Sequence, residues 1–131
     1  MFGPQEPASF SFAVDWQGRL APGQLNDLYN SSIAGLGLSF TNVSLVVDEM
    51  LAAGCVPVVN DSRDGRLVVR SPHVRWVEPT PAALADALVA LVDEPPTDFA
   101  AMAASTNPSW AVTRERFAGI VSHVTTGRGR A

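Results

Sequence analysis

Glu49 opens the chemistry of this chain. It stands in the stretch Glu49-Met50-Leu51-Ala52-Ala53-Gly54-Cys55-Val56-Pro57-Val58-Val59. The pattern predicts a helix over 45–53 stopped by Gly54, then a valine-rich buried strand over 56–59. In an α/β sheet that order sets an acid beside the carboxyl ends of parallel strands, where ligands bind. The preceding loop, Ser39-Phe40-Thr41-Asn42-Val43-Ser44, leads into the same helix. Free N–H groups and the positive dipole end of a helix suit an anion such as a diphosphate; simple capping by Asn42 or Ser44 is the structural alternative. Arg19, Arg63 and Arg66 could each meet a phosphate as a bidentate guanidinium, or simply sit in solvent.

Other chemistries are excluded by what the chain lacks. All nine basic residues are arginine, so no Schiff-base or P-loop lysine exists. The same absence rules out a signalling receiver, which needs a lysine after a late strand. His73 and His123 stand far apart with no ligand-spaced partner, so no metal is expected. Cys55, the single cysteine, can form no internal disulfide and reads as small buried packing, in keeping with a reducing cytoplasm. A net charge of -4 argues against nucleic acid as a partner. No signal peptide is visible, and no run of about 18 apolar residues suggests a transmembrane segment.

The elements that must position Glu49 follow from periodicity. Ser9 to Val14 alternates as a half-buried strand, and Gln17-Gly18-Arg19 forms a turn. Pro22 suits the first turn of a helix with Leu25, Leu28 and Tyr29 on one side, stopped at Asn30-Ser31-Ser32. Ile33 to Leu38 is a buried strand. Asn60 to Gly65 reads as a loop, with short strands at Leu67–Val69 and Val74–Val77. Thr80-Pro81 opens a helix with Leu84, Ala87, Leu88, Leu91 and Val92 on one face. A further helix is expected over Asp98–Ala104. The last starts at Ser109, with Trp110, Phe117, Ile120, Val121 and Val124 as its core stripe. Thr125 to Ala131 is expected to fray. Strands alternating with helices predict an α/β domain over 1–124, a Rossmann-like open sheet, mainly parallel, with helices on both faces.

This order of pieces resembles the C-terminal, nucleotide-sugar-binding half of a GT-B glycosyltransferase of the family 4 type. It is most similar to bacterial rhamnan-synthesis enzymes, through Gly18-Arg19-Leu20, Ala34 to Ser39, the Leu38-Ser39-x-Thr41-Asn42 loop, the Glu49 to Gly54 helix, the Thr80-Pro81 helix and Ser109-Trp110. The resemblance implies that Glu49 captures ribose hydroxyls. It further implies that Ser39 to Ser44 approach the diphosphate and donor sugar, with base or phosphate contacts near Arg19 and Leu20. The family carries a second glutamate eight positions before Glu49; Thr41 stands there instead. The segment that supplies the family's arginine and lysine for the diphosphate has no counterpart, so the chain reads as a domain fragment. Its expected partners are a nucleotide sugar as substrate and an N-terminal acceptor-binding domain of the same protein, with no separate cofactor. The full enzyme would transfer a sugar in polysaccharide biosynthesis, while the isolated chain would turn over nothing. An open sheet edge could also pair two copies. The alternative reading is an interaction module that keeps the fold without sugar transfer.

Overall fold

A computed structural model describes residues 11–40, 45–106 and 110–127. Its centre is the strand Val56–Asn60 (β2), four apolar residues closed by an asparagine, all five of them buried. On one side β2 pairs in parallel with Ala34–Leu36 (β1), and on the other with Arg75–Val77 (β3). The result is a three-stranded, parallel, open sheet in the order β1-β2-β3. Pro57 is fully buried in the central strand although it has no N–H to donate. Its position explains the tolerance. Val56 donates to Ile33 on the β1 side, and pairing with β3 begins one residue after Pro57, at Val58 opposite Arg75.

The described residues form six helices: Pro22–Asn30 (α1), Val46–Ala52 (α2), Arg63–Val68 (α3), Pro81–Asp93 (α4), Phe99–Ala104 (α5) and Trp110–Gly127 (α6). Val47 and Leu51 of α2, Leu91 of α4 and Met102 of α5 join Val56, Val58, Val59, Val69 and Val74 in one apolar core. A second cluster holds α1 through Tyr29 against Met50 and Cys55, with Leu25 packed beside them. Cys55 is fully buried, as its sequence context suggested. Thr80 caps α4, its hydroxyl accepting from the Ala83 N–H, and Asp98 does the same for α5 toward Ala101.

Five expectations are corrected. Residues 11–14 form no strand, and Phe12 is 65% exposed; the alternation there meets no neighbouring strand to pair with. Residues 63–68 are a helix rather than a loop and a strand, because the Ser62 hydroxyl accepts from the Gly65 N–H at 3.1 Å and starts a turn. The apolar stripe of α6 is not core: every described side chain from Trp110 to Thr125 is exposed. The helix also continues through Thr125 to Gly127, where fraying was expected. Val92 likewise lies outside the α4 contact face. Among the described residues, no helix is long and apolar enough to cross a membrane.

Candidate functional site

The carboxyl edge of the sheet is built from the end of β2 and the segment after β1. Asn60, the last residue of β2, is buried, and its side-chain oxygen accepts from the Ser39 N–H at 2.7 Å. That bond ties the departing loop to the neighbouring strand tip and fixes where the chain leaves the sheet. Phe40 follows, 78% exposed. Thr41, Asn42, Val43 and Ser44 lie outside the described residues. The chain returns as α2, whose amino end faces this edge and whose first turn carries Asp48 and Glu49. Glu49 is exposed while its neighbours Val47, Met50 and Leu51 are buried. The helical period explains this, because residues that cover the sheet leave the intervening one in solvent.

Glu49 also acts on Tyr29 of α1. Burial raises the Tyr29 hydroxyl above its ordinary value, and the negative charges at Glu49 and Cys55 push the same way. Burial alone pushes the Cys55 thiol up to about 11, so it is a protonated packing group and not a nucleophile.

The arginines divide. Arg19 is exposed and Leu20 half-buried, just after Gly18, which turns the chain at φ 62°. Among the described residues, no hydrogen bond or ion pair joins Arg19 to Glu49 or Ser39. Arg66 is engaged: it meets Asp61 through two bonds, Nε to Oδ1 at 2.6 Å and the terminal nitrogen to Oδ2 at 2.9 Å. Its guanidinium carbon also lies 5.2 Å from the Trp76 ring centroid. This pair holds the Asp61 carboxyl below the ordinary range. Arg63 keeps the exposed position that its loop reading suggested. Among the described residues, no three His, Cys, Asp or Glu side chains gather as a metal site.

Two clefts lined by described residues lie elsewhere. One cleft of about 440 Å³ sits at the opposite, amino edge of the sheet, between Asn30–Ile33, Ala52–Gly54, Pro95–Pro96 and Phe99. Another, of about 510 Å³, runs from Arg66 and Val69 to Trp76. Neither includes Glu49, Ser39 or Arg19. The structure therefore brings Ser39 and the α2 helix of Glu49 to one edge, and leaves Arg19 unconnected to them. The Asn60 clasp escaped sequence reasoning; its only signal was an amide closing a β-branched run.

No protein-family model matches the chain, and no curated protein or solved structure matches it either.

Proposed function

We propose that the chain is the donor-nucleotide domain of a glycosyltransferase, the C-terminal half of a GT-B architecture, binding a nucleoside diphosphate sugar at the carboxyl edge of the sheet. The observation that carries this reading is the Asn60–Ser39 clasp at the carboxyl edge, from which the chain leads into the helix that carries the exposed Glu49. A carboxylate so placed offers two acceptor oxygens to the vicinal hydroxyls of a ribose. The loop from Ser39 to Ser44 would lie along the diphosphate, where oriented amides stabilise the charge that grows on the leaving group. Arg19 and Leu20 would approach the base or phosphate. The acceptor-binding groups and the sugar-transfer machinery would come from a second, N-terminal domain, in a cytoplasmic protein.

Titration with UDP, dTDP and GDP, followed by amide NMR, tests this. At least one nucleotide should perturb residues around Ser39, Asn60 and Glu49. Glu49→Gln should weaken binding about tenfold, since hydrogen bonds to a charged acceptor contribute about 1.5–3 kcal/mol. Glu115→Gln on α6 should leave it unchanged. A second reading, an interaction module without sugar transfer, is supported by the exposed apolar side chains of α6. Silence at the carboxyl edge with all three nucleotides would overturn the first reading in favour of the second.

A further inference from the structure

We propose that the cleft at the amino edge of the sheet binds a guanidinium or ammonium group, the head of an arginine or lysine side chain or of a free polyamine. This site is independent of the nucleotide reading and lies at the other end of the strands.

The chemistry of the walls argues for a cation. Two helices end in this cleft, α1 at Asn30 and α2 at Ala52, and neither carries a basic residue in its last turn. Helix ends expose carbonyl oxygens and the negative end of the dipole, and basic side chains ordinarily complement them. Among the described residues, the carbonyls of Asn30, Ser31, Ala52 and Ala53 accept no backbone hydrogen bond beyond the helices. The hydroxyls of Ser31 and Ser32 both donate to the Leu28 carbonyl, at 2.9 and 2.7 Å. Their protons are thus committed, and only lone pairs remain to offer a ligand. Pro95 and Pro96 form another part of the wall and have no N–H to give. The helix start that borders the cleft, α5, is capped by Asp98, whose carboxylate accepts from the Ala101 N–H at 2.9 Å.

An aromatic face completes the site. Phe99 is 56% exposed and lies across Gly54, where a Cβ would come within 2.8 Å of its Cδ1. A cation seated against the ring gains from its quadrupole, and the aliphatic stem of an arginine can lie along Ile33 and the prolines. No lining side chain carries a charge, so no internal cation competes. A volume of about 440 Å³ is ample for one such side chain.

Three probes added to the intact chain at constant ionic strength test this: N-acetyl-arginine amide, its neutral isostere N-acetyl-citrulline amide, and spermidine. The arginine probe should perturb the amides of Ser31–Ile33, Ala52–Gly54 and Phe99 in a saturable way, and the citrulline probe should not. Stronger binding of the arginine probe than of spermidine identifies a peptide side chain as the source; the reverse order identifies a free polyamine. Phe99→Leu, which keeps an apolar group over Gly54, should weaken the favoured cation about threefold. Equal perturbation by arginine and citrulline probes overturns the proposal without any variant. So does the absence of perturbation at this cleft with both cations, or undiminished binding by a folded Phe99→Leu chain.

Discussion

Helices α4 and α6 both carry an apolar stripe, yet they end in opposite circumstances. Leu91 of α4 is 2% exposed, and Leu84, Ala87 and Leu88 pack beside it against the sheet. Trp110 and Phe117 of α6 are 83% and 66% exposed, with Ile120, Val121 and Val124 beside them. The difference lies in what each helix is given to meet. The segment before α4 leaves β3 and delivers the helix onto β2 and β3 across a three-residue link, Glu78-Pro79-Thr80. The segment before α6 leaves α5, after the sheet has already received its covering helices. An apolar stripe states that a face is suited to burial; the connection decides whether this chain supplies the cover.

That contrast can be broken most forcefully at Leu91. Leu91→Ala removes a buried side chain and should cost about 2–5 kcal/mol in chemical denaturation. A loss as small as that of a surface substitution would erase the distinction between the two helices. A middle-sized test sits at Cys55, on the covered side. Its thiol rises from an ordinary 9.0 to about 11 in the folded chain. Below pH about 9 both states keep the proton, and stability is indifferent to this group. Between about 9 and about 11 the unfolded thiol ionises first, so stability falls by at most about 1.4 kcal/mol per pH unit. Cys55→Ala should flatten that slope, leaving the contribution of Tyr29 at higher pH. A slope unchanged by the substitution would place the thiol in contact with water. The smallest expected effect belongs to α6. Phe117→Ala should shift the unfolding free energy by no more than about 0.5 kcal/mol. A cost comparable to Leu91→Ala would mean that α6 is buried in solution.

Particular residues show how far the sequence could be read. The α4 start was plain, because Thr80-Pro81 combines a cap with a proline at the first helical position and an apolar period behind it. The β2 strand was equally plain from its β-branched run. Helix α3 was concealed because Gly65 disfavours a helix interior and Asp64-Gly65 mimics a turn, while the decisive Ser62 cap is a single hydroxyl. The strand expected at 9–14 failed over residues 11–14 because alternation describes two faces but supplies no partner strand. At the carboxyl edge, the Gly54 stop marked where the helix ends, but Glu49 was expected to open its last turns and instead stands in the first turn of a short α2 that begins at Val46. The Asn60–Ser39 bond joins residues 21 positions apart, and no local pattern encodes it. The amino-edge cleft was likewise unreadable, since it is assembled from four separated segments whose residues are individually ordinary.

Gly54 has a consequence for how this domain can vary over generations. Its φ of +78° excludes most side chains, and the Phe99 ring fills the space where a Cβ would project. These are two separate vetoes on one position. A smaller residue at 99 lifts the steric veto and leaves the backbone veto in force, so the pair cannot drift by reciprocal substitution. Lineages that keep a one-residue step between Gly54 and the buried start of β2 should therefore keep glycine there whatever residue stands at 99. Where glycine is lost, the change should arrive together with an insertion or deletion in the α2–β2 link.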